Sequence, residues 1–288
     1  MRRNALRSIV AAFCLLGMTG AAHAAGGIAW AKSYPTALAQ AKKTNRLIMI
    51  DFYADWCGWC KRLDATTYKD PQVVKLSSQF VPVKLNTERE GMSLAMKYGV
   101  TGLPTILFLS ATGQVEGRIG GYMPPARFAQ EIQGIAQTHR EFPQMVARYK
   151  ANPGDTQAAL KLVQVYVKRG RQAEAAQVLA KAEQHAPKSS LPQLSRAYGA
   201  VAGGYFEQQQ FNQALPYFRK AVATASAPND IAVARIGVAL CYTFQNKFRE
   251  ARPEFQAAAN TPGVAPAIKQ QAQAFIEKLQ QIKASGGQ

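Results

Sequence analysis

The chain has 288 residues, 48% hydrophobic and 18% charged, enough apolar material for two ordinary cores and too much for a disordered chain. Its formal charge is +18, which inside a cell would raise nucleic acid as a partner. The excess is spread, with +6 over residues 25–140 and +9 over 141–288, so it reads as a solvated basic surface and no nucleic-acid partner is expected.

In chain order, Arg2, Arg3 and Arg7 precede an apolar run from Ile9 to Met18, which leads into Ala22-His23-Ala24. This is the layout of a secretory signal peptide cut after Ala24. The run is about half the roughly 20 residues that a membrane-crossing helix needs. A mature, soluble chain starting at Ala25 in the periplasm is therefore expected.

A short helix follows between Trp30 and Asn45, with Ala37, Leu38 and Ala41 on one face. Arg46 to Tyr53 is a near-continuous apolar run with β-branched and aromatic residues, the pattern of a buried central strand. Helical character runs from Cys57 to Tyr68 and restarts at Asp70-Pro71 through Val73, Val74 and Leu76. Phe80 to Leu85 reads as a strand, with Pro82 pointing to an exposed or irregular position. A helix around Leu94 to Lys97, strands Thr105–Leu109 and Val115–Ile119, and a helix from Pro124-Pro125 through Phe128, Ile132 and Ile135 complete the pattern. Residues 25–140 are thus expected to form an α/β sandwich around a mixed sheet.

Beyond His139 strand patterns stop, and the chain repeats itself. Tyr166, Ala175, Leu179 and Ala182 recur as Tyr205, Ala214, Phe218 and Ala221, then as Tyr242, Ala251, Phe255 and Ala258. Residues four and three apart share a helix face, and alanine there lets a partner helix come close. Residues 141–285 are therefore expected to be an all-α array of helical hairpins, closed by an amphipathic helix from Ile268 to Ile282.

Once Cys14 leaves with the signal peptide, Cys57, Cys60 and Cys241 remain. One close pair in an oxidising compartment reads as a working thiol couple rather than a disulfide framework. The three-residue spacing puts both sulfurs on one helix face, within bonding reach. At a helix start, unpaired amides and the helix dipole favour a thiolate on Cys57, the expected nucleophile, with Cys60 tucked inward as the resolving thiol. Half a zinc site is the rival reading; it needs four ligands, and His139 and His185 stand isolated, so neither metal nor cofactor is expected. Cys241, beside a repeat tyrosine, reads as a small core residue.

Asp51-Phe-Tyr-Ala-Asp-Trp-Cys-Gly-Trp-Cys-Lys61, Asp70-Pro-Gln-Val73 and Gly102-Leu-Pro-Thr-Ile-Leu-Phe108 resemble the thioredoxin superfamily, most closely the periplasmic C-terminal domain of the DsbD disulfide reductases. The resemblance covers residues of about 28–138. It implies a cis proline at Pro104 facing the redox pair and a substrate-binding backbone at Leu103. It also implies a buried acid at Asp51 serving as proton acceptor for Cys60, and Trp56 covering the site. Lys84 falls at the matching lysine position, where it either shares the proton with Asp51 or snorkels from a strand edge. The pair Gly58-Trp59 departs from the Gly-Pro of thioredoxin and from the residues of the DsbD domain, and residues there influence redox poise. The hairpin array in turn resembles tetratricopeptide repeats, with Pro187 and Pro262 near repeat ends.

These features imply an exported protein-disulfide reductase, fed electrons by a membrane donor of the DsbD type and acting on oxidised exported proteins, with a peptide or protein ligand for the repeats. A disulfide oxidase or isomerase using the same site is the alternative. A repeat-based interaction protein on a thioredoxin-like scaffold is a third reading, against which the intact Cys57, Cys60, Asp51 and Pro104 argue.

Overall fold

The computed structural model describes residues 27–284. The signal peptide expected over residues 1–24 lies outside them. Helix α1 (Tyr34–Thr44) starts where Ser33 Oγ accepts the Thr36 N–H and stops at Asn45, whose φ of 50° is left-handed. The chain then enters β1 (Ile48–Tyr53), which pairs in parallel with β2 (Val81–Asn86) and antiparallel with β3 (Thr105–Leu109). β4 (Val115–Gly120) closes a sheet of order β2-β1-β3-β4. Pro82 lies on the edge strand β2, where a missing N–H disturbs no ladder. It is buried rather than exposed, because the incoming chain caps that edge through Ala31 N to Pro82 O at 2.7 Å.

The period of two along β1 sorts its residues between two cores. Ile48, Ile50 and Phe52 join Ala37 and Ala41 of α1 and Ala95 of α4 (Met92–Lys97). Met49 faces the other way, toward Leu63 of α2 (Gly58–Ala65), Val73 of α3 (Pro71–Ser77), and Phe128 and Ile132 of α5 (Pro125–Ala151). Asp51, two residues on, shares that second face.

α5 continues through Pro143 to Ala151, so residue 140, the expected end of the first domain, lies inside a helix that serves both halves. Helices α6 (Thr156–Lys168), α7 (Gln172–His185), α8 (Leu191–Glu207), α9 (Phe211–Thr224), α10 (Pro228–Phe244) and α11 (Phe248–Ala259) then form three hairpins, covered by α12 (Pro266–Ala284). The repeating Ala, Leu or Phe, and Ala positions are all buried on α7, α9 and α11. The repeating tyrosine serves the turn. Tyr166, Tyr205 and Tyr242 each accept, through the backbone carbonyl, the N–H of the fifth residue on (Arg171, Gln210 and Lys247) at 2.9 Å. Gly170, Gln209 and Asn246 between them have φ near +60 to +71°. This is the left-handed helix stop that satisfies orphan carbonyls, repeated with the period of the sequence.

One buried cluster joins the halves. Glu116 of β4 has its Oε2 2.5 Å from Arg169 Nη2, at the end of α6, and 2.9 Å from His139 Nδ1 of α5. The arginine contact is an ion pair rather than an aligned hydrogen bond, and the guanidinium lies 3.8 Å from the centre of the Phe142 ring. Glu116 sits near the start of β4, at the end of the sheet away from Pro104, because Gly121, just past the other end of that strand, donates to Pro104 O at 2.8 Å.

Candidate active site

The strand β1 delivers the chain through Ala54-Asp55-Trp56 to Cys57, which caps the N-terminus of α2. Cys57 and Cys60 are joined by a disulfide with Cα atoms 5.3 Å apart. Cys57 Sγ also accepts the Cys60 N–H at 3.1 Å. An amide pointing at that sulfur, together with the positive end of the helix, favours the thiolate once the bond opens. Both cysteines are 3% exposed in this disulfide state, so exposure does not set Cys60 apart as the inward one. Ala54, Tyr53 and Leu103 pack around the pair. Leu103 thereby stands against the sulfurs, and the Leu103–Pro104 peptide is cis.

Asp51 is 1% exposed, and burial pushes its carboxyl up to about 6, with the neighbouring Asp64 adding to the rise and Lys84 opposing it. Lys84 Nζ lies 3.4 Å from Asp51 Oδ2 and 2.5 Å from Asp64 Oδ1. It does not snorkel away from the strand: its ammonium lies 5.0–5.7 Å from the ring centres of Trp30, Tyr53 and Tyr68, an aromatic surround suited to a cation. The Tyr68 hydroxyl is buried, and burial beside Asp51 pushes its pKa well above the phenol range. Asp51 Oδ1 and that hydroxyl lack an aligned partner among the described residues. Burial therefore lets Asp51 take up a proton closer to neutral pH than an exposed carboxyl does.

Sequence reasoning did not single out Asp64 or Tyr68. Asp64 was within reach, standing four residues after Cys60 and hence on the same face of α2.

At the rim, Trp56 is 69% and Trp59 55% exposed. Trp56 Nε1 donates to Glu88 Oε1 at 2.8 Å, which ties the indole to the loop after β2. Trp59 stacks on Tyr122 with ring centres 5.7 Å apart, and Arg62 lies 5.3 Å and 4.7 Å from the same two rings. A side chain added at Gly58 would meet nothing within 4 Å, so the surface at Gly58, next to Cys57, is open. Arg62 and Tyr122 are sixty residues apart and carry no local signal linking them.

Residues 34–136 match the thioredoxin-like domain family, and residues 133–235 match a tetratricopeptide repeat family. The thiol:disulfide interchange protein DsbD of Vibrio vulnificus (strain CMCP6) is 38% identical over 104 residues, covering 34% of this chain and 18% of that protein. The chain therefore spans less than a fifth of the length of that relative. Among solved structures, a thioredoxin from Thermus thermophilus is 29% identical with a TM-score of 0.38, over 41% of this chain and 94% of that one. The DsbD C-terminal domain of Neisseria meningitidis in its oxidised form is 23% identical with a TM-score of 0.31, over 35% and 90%. The N-terminal part of this chain is a thioredoxin-like domain, similar in sequence to part of DsbD, and tetratricopeptide-type helical repeats follow it.

Proposed function

We propose that the protein is an exported, periplasmic protein-disulfide reductase. The observation that carries this reading is the Cys57–Cys60 disulfide at the start of α2, with Cys57 Sγ facing an amide and Asp51 buried on the strand before it. In the dithiol form, the Cys57 thiolate attacks one sulfur of a client disulfide. The client S–S bond breaks, its second sulfur leaves as a thiolate and takes up a proton, and a mixed disulfide with Cys57 forms. Asp51 accepts the Cys60 proton, and the Cys60 thiolate attacks Cys57 Sγ. The client departs as a dithiol, and the enzyme is left with the disulfide seen here. Lys84 and Asp64 tune the proton acceptor, while Trp56, Gly58, Trp59, Leu103 and Pro104 face the client.

Two electrons must then return from another dithiol, and the similarity to DsbD supports a membrane donor of that type. Export rests on the pattern of residues 1–24; among the described residues no helix is long and apolar enough to cross a membrane. The repeats supply a surface for a peptide or protein partner.

Equilibration against glutathione and dithiothreitol buffers, followed through the tryptophans beside the disulfide, tests the direction. A reductase is expected at about −230 to −270 mV, in the glutaredoxin to thioredoxin range. A value near about −120 mV, that of a strong oxidant, would favour the oxidase reading instead.

A further inference from the structure

The charges around the disulfide are not equally committed. Asp51 and Asp64 share Lys84, Asp55 pairs with Arg89, and Glu88 accepts from the Trp56 indole. Every carboxylate named here on the rim or beneath it thus has an internal partner. Arg62 has no carboxylate partner among the described residues. It is held over Trp59 and Tyr122, whose rings stack on each other, and Tyr122 is in turn anchored at its hydroxyl, 3.4 Å from Thr66 Oγ1. A guanidinium laid on aromatic faces keeps its planar N–H edges free for a carboxylate, and it loses less rotamer freedom on binding one than a free arginine does. Trp59 lies between the two cysteines in sequence, and Tyr122 directly follows Gly121, which bonds Pro104 O. The platform therefore lies beside the Cys57–Cys60 pair and the Leu103–Pro104 segment, where a client must dock.

We infer that Trp59, Tyr122 and Arg62 form a specificity platform selecting client disulfides that carry a carboxylate side chain beside the attacked cysteine. This rests on the thiol–disulfide exchange reading above and adds the chemistry of the client to it. Arg62 donates its N–H groups to the client carboxylate, and Tyr122 and Trp59 position it. The occupant is an oxidised protein segment with Asp or Glu next to its cysteine, and the guanidinium of Arg62, fixed on the two rings, is what matches it.

The test uses the full chain, kept reduced by dithiothreitol, and three fluorogenic peptide disulfides identical except for Glu, Gln or Lys beside one cysteine. Wild-type protein should give a kcat/KM about three- to fivefold higher for the Glu peptide than for the Gln peptide, the size of one partly exposed ion pair. The Lys peptide should fall below both. Arg62→Gln should bring the Glu/Gln ratio close to one, Tyr122→Ala should lower it part of the way, and added salt should shrink it in the wild type. Lys43→Gln, which removes a cation at the end of α1, should leave the ratio unchanged. A wild-type ratio of one, or an undiminished ratio in Arg62→Gln, overturns the platform while leaving the redox reading intact. Failure of the wild-type protein to reduce even the Gln peptide would instead sink the redox reading, and the platform with it.

Discussion

Lys84 stands closer to Asp64 than to Asp51, with its ammonium 2.5 Å from one and 3.4 Å from the other. One cation is thus divided between a buried carboxyl and an acid whose side chain is 47% exposed. Burial is the main cause that pushes Asp51 up to about 6, Lys84 opposes it, and the partly exposed acid adds to the rise by sharing that cation. Replacing Asp64 by Asn should free Lys84 for Asp51 and remove a like charge, so the Asp51 pKa should fall. Lys84→Met should raise it above 6. Carbon-detected NMR titration of the Asp51 carboxyl reads both shifts directly, and an Asp51 pKa that does not drop in Asp64→Asn contradicts the division of charge.

The same carboxyl links stability to pH. An acid whose pKa is raised on folding stabilises the fold only in its protonated form. Its ionisation penalty is absent below about pH 3.8, grows between 3.8 and 6, and is complete above 6. A shift of that size corresponds to about 3 kcal/mol at neutral pH. Asp51→Asn, which mimics the protonated acid, should therefore raise the denaturant midpoint of the oxidised protein at pH 7.5 and change it little at pH 4. An equal gain at both pH values would mean that ionisation is not what Asp51 costs the fold.

How far the sequence revealed this molecule depended on whether the signal was local. The strand Ile48–Tyr53 could be read because both of its faces are buried, giving a continuous apolar run broken by Asp51 alone. The three hairpins could be read because the buried Ala positions and the turn tyrosines recur together. What escaped was made by folding. Glu116, His139 and Arg169 come from β4, α5 and the end of α6, and each taken singly looks like an ordinary surface charge. The length of α5 escaped for a related reason. Gly134 and Pro143 are both absorbed within α5 instead of ending it, and the helix runs past residue 140 to Ala151. At the site, the cysteines, Asp51 and Lys84 lay in one recognisable segment pattern, whereas Arg62 and Tyr122 meet only across the fold.

The ion cluster at Glu116 gives a prediction about how the halves hold together. Arg169→Met keeps an apolar stem over Phe142 but leaves a buried carboxylate with His139 alone, and breaking a buried pair in this way costs about 3 kcal/mol. Changing both partners, Glu116→Leu with Arg169→Met, should recover most of that loss because no charge is left stranded. Chemical denaturation of the two variants beside the wild type decides this. A single variant as stable as the wild type would show that the pair does not join the halves.

Between the second and third hairpins, α9 and α10 approach until a β-carbon on Gly237 would lie 2.4 Å from the Phe218 ring. Gly237 is helical, so alanine would ordinarily help. Here the added methyl has to displace a packed ring that fills the space between two buried alanines. Gly237→Ala should accordingly destabilise the protein by about 1–3 kcal/mol, and Phe218→Leu in the same chain should relieve part of that. Thermal melts of the single and double variants check it, and a stabilised single variant would refute the close approach.

Three cysteines should differ in reactivity although all three are buried. Cys241 lies in the core of the repeats, where burial pushes its thiol up to about 12, so it holds its proton at any pH the cell meets. Cys57 and Cys60 are equally covered in the disulfide form, so electrostatics rather than exposure must distinguish them on reduction. Only Cys57 occupies the N-cap of α2, with its sulfur accepting an amide N–H. Iodoacetamide added to the reduced protein at pH 7 should therefore give one modification, on Cys57, with a rate that titrates below the free-thiol value of about 8.5. In Cys57→Ser, labelling at pH 7 should slow by at least about tenfold and should not move to Cys241, because removing the N-cap sulfur does nothing to lower the pKa of a thiol in another core. Peptide mass spectrometry assigns the modified residue and the pH series gives the pKa. Labelling of Cys60 ahead of Cys57 would reverse the roles of attacking and resolving thiol. A rate that titrates at 8.5 or above would show that the helix start does not activate the nucleophile.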